Sequence, residues 1–587
     1  MNYDYLVIAG YFALMVIISL LFKKMASNST SDYFRGGGKM LWWMVGATAF
    51  MTQFSAWTFT GAAGKAFSDG FAVLGVFIGN ILAYVVAYLY FAKRFRQMRV
   101  DTPTEAIRRR FNPTNEQFFT WIIIPLSIIN GGVWLNGLSV FASAVFNADI
   151  MTTIWITGLA VLAISLLSGA WGVVASDFIQ TLVIAIVSIA CAIVALVAVG
   201  GPGEIVSNFP SGFLVGPDMN YPLLIVCSFL FFVVKQLQSI NNMQDSYRFL
   251  NAKDSKNASK AALMAGVMML AGAIIWFIPP WASAIMYPDA AAQYPALGAK
   301  ARDAVYLVFA REAMPLGTVG LLMAGLFAAT MSSMDSALNR NSGIFIRSFY
   351  ATIIRKGKAG DREQLRAGQI TCVVNGLMVI FMAQFFTSLK ELSLFDLMMQ
   401  VSTLLQGPIL VPLCFGIFIR KTPKWAPWAT VVFGAFISYL IINVFTPQVV
   451  GAWFGLENLT GREISEFRTT ITIAAHLIFT AGFFCLTTLL YKEDQFKETQ
   501  DEFFKDVETE CIAGEGQDIV DRMQRNKLGT LVMIMAAGLL MMILIPNPMW
   551  GRMLFLGCSL AIFLVGFALK KSAGLEDSST ATTSTSQ

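Results

Sequence analysis

Apolar runs with few charges, long enough to cross a bilayer, recur along the whole chain. A spanning helix needs about 20 apolar residues, and by that ruler there are about fifteen spans. They fall near 4–22, 43–64, 71–92, 118–147, 150–168, 176–200, 221–242, 260–286, 316–339, 366–388, 393–419, 425–446, 468–491, 528–546 and 551–569. Lipid offers no partner to a free backbone polar group, and a helix satisfies its own. The fold class expected is an all-α polytopic membrane protein. Composition agrees: of 587 residues 56% are hydrophobic and only 13% charged, against about 25% charged in a soluble chain. Mean hydropathy is +0.63.

Charge sets orientation. Basic clusters follow span one (Lys23, Lys24, Arg35, Lys39), span three (Lys93, Arg94, Arg96, Arg99, Arg108, Arg109, Arg110) and span seven (Arg248, Lys253, Lys256). Others follow span nine (Arg347, Arg355, Lys356, Lys358) and span eleven (Arg420, Lys421, Lys424). All follow odd-numbered spans, so the N-terminus is expected outside and the C-terminus in the cytoplasm. The expected location is the plasma membrane, a bacterial inner membrane. The first span has no basic residues before it, so it reads as a span and not a signal peptide. The net charge of +6 comes from these loops, and it argues orientation, not a nucleic-acid partner.

Several functions are excluded. The lone histidine, His476, sits in the apolar run "TITIAAHLIFTAGFF" and reads as a packed residue. Histidine triads and multi-histidine metal sites need more. The 7 cysteines lack CxxC spacing and read as small core residues. Residues 492–526 read as a cytoplasmic surface helix plus loop, and the tail 571–587 as low-complexity and disordered. Neither could hold a nucleotide-binding or catalytic domain, and "GGG" at 36–38 is no phosphate loop. The chain is not expected to be an enzyme or an ATP-driven pump.

Two spans carry polar breaks. Span two, "WWMVGATAFMTQFSAWTFTGAAGKAF", crowds small and hydroxyl residues into its middle. Span seven, "LLIVCSFLFFVVKQLQSINNMQDSYRF", is apolar until Lys235 and polar after it. The two are five spans apart, so units of five would lie in opposite orientations. Paired interrupted helices in inverted units mark the binding site of a secondary transporter. The alternative for span seven is an interfacial end with a snorkelling lysine. Intramembrane charges are costly and suggest function; Asp177, Lys235 and Asp335 are such charges. Lys65 and Asp69 read as residues of the outer interface.

The stretch "TMSSMDSALNRNSGIF" (330–345) follows a run fit for lipid. Positions three and four apart share a helix face, so Ser332, Ser333 and Ser336 fall on the side of Ala329. A small alkali cation wants such hard oxygens, or carbonyls freed where a helix unwinds, as span two could provide. The competing reading is interhelical packing by small hydrogen-bonding residues.

Four stretches together resemble the sodium:solute symporter family, relatives of the bacterial proline, galactose and sialic acid symporters and of the mammalian sodium/glucose cotransporters. They are "WWMVGATAFMTQFSAWTFTGAAG" (42–64), "TPTEAIRRRFN" (102–112), "SGAWGVVASDFIQ" (168–180) and "GLFAATMSSMDSALNRNSGIF" (325–345). Their order and spacing match, and the similarity covers roughly residues 5–420. The resemblance implies an inverted five-plus-five helix repeat (LeuT-type): an extra N-terminal span in 1–25, repeats in 42–200 and 221–420, and about four extra spans in 425–570. It implies one or two Na+ ions. The shared sodium site would use the carbonyls of Met51, Phe54 and Ala329 with the hydroxyls of Ser332 and Ser333. A second cation, sodium or a proton, would fall to Asp177, Asp335 and Ser336, with Ser332 shared. Asp335 stands where a hydroxyl is common. Two close carboxylates repel unless a cation or proton lies between them; alternatively Asp335 pairs with Arg340 or another base on the cytoplasmic side.

The solute is expected beside the break in span two, among Trp57, Thr58, Asn80, Asn130, Trp134, Lys235, Gln238 and Gln400. Phe77 occupies the place of the sugar-transporting relatives' span-three glutamate, which argues against a plain neutral hexose. Lys235 would face a carboxylate on the solute, or else form an internal salt bridge, for example to Asp177. The function expected is sodium-coupled import of a small organic solute, a sugar or sugar acid, by a monomer or weak oligomer in contact with lipid. The alternatives are symport of an amino acid or other organic anion, or a membrane sensor or channel on the same fold.

Overall fold

A computed structural model describes residues 3–26, 36–210, 212–389, 393–514 and 517–584. The regular structure among the described residues is helical, apart from an isolated bridge between Met40 and Ala252. Among the described residues eleven helices are long and apolar enough to cross a membrane, and up to twelve with one bent pair included. Two shorter apolar helices, Tyr3–Ile18 and Ile150–Leu166, accompany them. Arg35 lies outside the described residues.

The apolar window of Thr318–Ile354 is entirely buried within the protein. That answers the polarity of 330–345: these oxygens never meet lipid. Thr330, Ser332, Ser333, Asp335 and Ser336 are all buried among neighbouring helices.

The break in span two is present. Helix Trp42–Thr52 stops, and short helices Ala56–Phe59 and Gly61–Asp69 follow. Ser55 is extended (φ −145°, ψ 178°), and its hydroxyl accepts from the Trp57 amide at 3.3 Å. The freed Ala56 amide donates to Thr330 Oγ1 at 3.3 Å. Hydroxyls thus take up backbone groups that the helix leaves unpaired.

The second break differs from expectation. Helix Leu223–Ile240 runs through Lys235 without interruption and ends at Asn241 (φ −107°, ψ 60°). Asn241 Nδ2 caps this end by donating to Leu237 O at 3.1 Å and ties it to a neighbouring helix by donating to Ala83 O at 3.0 Å. A third interruption was not expected at all. Span eleven, read as continuous over 393–419, bends by 52° between Leu394–Leu405 and Gly407–Phe415. Pro408 carries no N–H and cannot continue the helical ladder.

Spans five and six, expected to be separated near 169–175, are joined in one helical hydrogen-bonding run, Ile150–Val199. Their packing still distinguishes them. Leu162 lies against Gly376 and joins the Leu338–Cys372 cluster, whereas Ile184 lies beside Gly325.

The basic connections converge on one end of the bundle. Arg109 pairs with Asp506 at 2.7 Å, Lys253 with Asp521 at 2.5 Å, Lys424 with Asp494 at 3.0 Å and Arg347 with Asp101 at 2.6 Å. The acids of 492–526 therefore answer the bases that follow spans three, seven and eleven. That segment is a helix, Lys497–Glu508, with a loop leading into Gln517–Leu540. The last helix is Met549–Ser584, so helical backbone extends into the tail expected to be disordered, and 585–587 lie outside the described residues.

Candidate functional site

The break in span two and the helix Thr318–Ile344 meet at Ser333. Its hydroxyl lies 3.0 Å from Phe54 O and 3.3 Å from Met51 O. A single hydroxyl hydrogen cannot serve both carbonyls fully. Three oxygens thus converge where a cation would take all of them as ligands. Ala329 is one turn earlier and fully buried.

Ser332 points to another group. The Asp177 carboxylate faces the hydroxyls of Ser332 and Thr48. Both Asp177 oxygens, Ser332 Oγ, Thr48 Oγ1 and Asp335 Oδ2 are buried without a hydrogen-bond partner. Burying a polar atom unpartnered costs about 1–3 kcal/mol, more when charged; the two hydroxyls can turn to Asp177, but Asp177 and Asp335 together still offer more acceptor capacity than these groups supply donors, an arrangement that could take a cation. Asp335 is held from one side, where Ser165 Oγ donates to Oδ1. It does not pair with Arg340. That guanidinium donates to Ser127 Oγ at 3.0 Å and stacks 4.7 Å from the Tyr247 ring. Ser336 is buried and lines a cleft with Thr48 and Asn339 that continues from this cluster.

A larger cavity lies on the adjoining face of the same helix, lined there by Ser333, Ala337 and Arg340. Trp57, Asn80, Asn130, Trp134 and Lys235 line it as expected. Three candidates fall elsewhere. Thr58 is buried outside the lining, Gln238 does not reach it, and Gln400 lines a separate cavity with Asp396, Thr403 and Arg468. Gln236 takes the place expected of Gln238, because two residues along a helix turn the side chain by about 200°. Gln236 donates to Asn80 Oδ1 and accepts from Lys235 Nζ at 2.9 Å. Lys235 makes no ion pair to Asp177 or to any other carboxylate among the described residues. At the basic end the cavity is lined by Gln53, Asp245 and Arg248, which the sequence reading passed over. Arg248 pairs with Asp245 at 2.9 Å and lies within 2.6 Å of the Gln53 amide oxygen. Gln53 had a signal, since it sits inside the break itself.

The opposite end of the cavity is closed by aromatic rings. Trp57 Nε1 donates to Leu394 O at 3.0 Å, and its ring stacks on Phe395 at 5.6 Å. Phe77 packs behind, 4.9 Å from Phe277 and 5.8 Å from Trp276.

Residues 33–434, well over half of the chain, match the model of the sodium:solute symporter family. The chain belongs to that family. It is 26% identical over 454 residues to the sodium/sialic acid symporter SiaT of Proteus mirabilis, covering 75% of this chain and 88% of the relative. It is 23% identical to the sodium/sialic acid symporter NanT of Aliivibrio fischeri, covering 80% and 96%. Identity to the sodium/glucose cotransporter of Vibrio parahaemolyticus is 24%, covering 75% and 86%. The fold is shared with a Na+-coupled sialic acid symporter solved in a substrate-bound, outward-open state: TM-score 0.65, 20% identity, 84% of this chain and 98% of the other.

Proposed function

We propose that the chain is a sodium-coupled importer of a sugar or sugar acid, working by alternating access. The observation that carries this reading is the Ser333 hydroxyl set between the Met51 and Phe54 carbonyls of the broken helix. Met51, Phe54, Ala329, Ser332 and Ser333 hold the first sodium. Asp177, Asp335, Ser332 and Ser336 hold a second cation, a role favoured by the unpartnered oxygens gathered there. The ligands come from helices in both halves of an inverted five-plus-five repeat, 42–200 and 221–420, within fifteen spans. Binding sodium therefore biases the equilibrium between gate positions, because the ion gains ligands only when both halves are in register. Each sodium moving inward gains about 2.3 kcal/mol per 100 mV, in addition to its concentration gradient.

The solute occupies the cavity beside Trp57, Asn80, Asn130, Trp134, Lys235 and Gln236. An acidic sugar fits best. Lys235 lines the cavity with no carboxylate partner of its own, and two of the three curated relatives described above are sialic acid symporters by name. The basic end faces the cytoplasm of a bacterial inner membrane, with the N-terminus outside. The test is uptake into proteoliposomes under imposed sodium and potential gradients, screened over sugars, sugar acids and amino acids. Joint substitution of Ser332→Ala and Ser333→Ala is expected to abolish gradient-driven uptake. Full retention would sink the reading.

A further inference from the structure

His476 lies outside both proposed repeats, yet its ring is packed against the one bend the sequence did not announce. A Cβ built on Gly407 would stand 2.8 Å from His476 Cδ2, so only glycine leaves the imidazole room at the first residue after the bend. The backbone there has a gap. Leu404 O would normally accept from the amide four residues on, but that residue is Pro408, which has none. Ser438, on helix Ala426–Asn443, fills the gap: its hydroxyl donates to Leu404 O at 2.8 Å. His476 Nε2 lies 3.2 Å from Ser438 Oγ, and His476 Nδ1 lies 3.0 Å from Thr480 Oγ1.

The hydrogen count fixes the tautomer. The single Ser438 hydrogen is committed to Leu404 O, so Nε2 must carry a proton and donate to Ser438. Nδ1 then accepts from Thr480. The relay runs one way, from Thr480 through His476 and Ser438 to the freed carbonyl. Of the three helices that it joins, the two at its ends widen into π turns at this level, Val401–Leu405 and His476–Thr480. Such turns recur at functional positions. Gly434, on the Ser438 helix, lets the bend and the His476 helix pack closely against it, since a Cβ there would stand 2.7 Å from Pro408 Cβ and 2.9 Å from Thr480 Cγ2.

We propose that His476 is a positioning residue for the transport gate: through Ser438 it holds the Leu404 carbonyl and so sets the bend at Gln406–Gly407. The half of the helix before the bend carries Leu394 and Phe395, which hold Trp57 over the cavity. The half beyond it lines the cavity with Leu410. The bend is therefore where a swing of Leu394–Leu405 uncovers the solute. This assigns work to two of the helices beyond the repeats, and it rests on the alternating-access reading above.

The test is amide hydrogen exchange of the full-length protein in nanodiscs, with sodium and with choline in its place. Peptides covering 393–406 are followed in the wild type, Ser438→Ala, His476→Leu and His476→Gln. Losing one buried hydrogen bond is expected to speed exchange by about fivefold in Ser438→Ala and His476→Leu. His476→Gln, whose amide can still donate to Ser438, should stay near wild type. Wild-type rates in either Ser438→Ala or His476→Leu would overturn the proposal. So would exchange in His476→Gln as fast as in His476→Leu, because packing alone would then explain both. A wild type whose 393–406 exchange ignores sodium would instead count against alternating access, while the variant comparison would still judge the brace.

Discussion

Asp335 is the residue on which the cation count turns. Its second oxygen is buried and unpartnered, the cluster around Asp177 shares that condition, and Arg340 is engaged elsewhere. A buried carboxylate with no cationic side chain beside it invites a mobile cation. Asp335→Asn is expected to lower the Hill coefficient for sodium from about two toward one in uptake assays, leaving the first site intact. An unchanged coefficient together with an unchanged pH dependence of uptake would remove the second cation. Lys235 makes a parallel case for the solute. It donates to Gln236 but has no ion-pair partner, so Lys235→Met should raise KM for an acidic sugar about tenfold or more, the loss of one charge-assisted hydrogen bond. A neutral sugar should be little affected, and competition assays with the two solutes would separate the cases.

Among the elements, the connection Pro295–Ala304 bears directly on the gate. Asp303 Oδ2 accepts from the Leu394 amide at 3.3 Å, at the start of the bent helix, and Lys300 Nζ donates to Asn136 Oδ1 at 3.1 Å. Burial pushes the Asp303 carboxyl up to about 7. Its folded pKa lies above its unfolded one, so between about pH 4 and 7 the folded state holds a proton that the unfolded chain has released. The stability this group contributes is fully present below that window and is lost as the pH rises through it. Asp303→Asn should flatten the pH dependence of thermal unfolding between 4 and 7; an identical profile would show that Asp303 does not set it. No local pattern announces this connection, because Asp303 and Leu394 lie 91 positions apart. The bend at 406–407 was hidden for a related reason. Pro408 was visible, but a continuous apolar run of 393–419 passes any test of length and hydropathy.

At the scale of the whole molecule, a buried charge network ties the broken helix to a helix outside the proposed repeats. Lys65 Nζ lies 2.6 Å from Asp69 and 2.6 Å from Glu466, and Arg462 pairs with Asp69 at 3.2 Å. Lys65 and Asp69, expected at the outer interface, are both buried within the protein. Helix Gly461–Ala475 supplies the countercharges, some 400 positions away along the chain. Removing one partner from a buried pair costs about 3–5 kcal/mol. Lys65→Met should therefore lower the melting temperature of the purified protein sharply. Glu466→Gln should do so less, since Lys65 keeps Asp69. Equal melting temperatures for Lys65→Met and wild type would show the network to be dispensable.

The amino-acid sequence by itself determined the class of protein, its helical spans, the basic faces that converge on one end, the break in span two and the serine stretch where oxygens gather. These are properties of composition and spacing over about 20 residues, the length that lipid imposes on a span. Tertiary structure decided which oxygens meet. Ser333 reaches two carbonyls some 280 positions earlier, Gln236 faces the cavity where Gln238 turns away, Gln400 belongs to another cavity, and His476 reaches Ser438, which fills the gap left by Pro408. Each such outcome depends on the rotation of one helix against another. A step of one residue turns a side chain by about 100°, and local hydropathy does not set that angle.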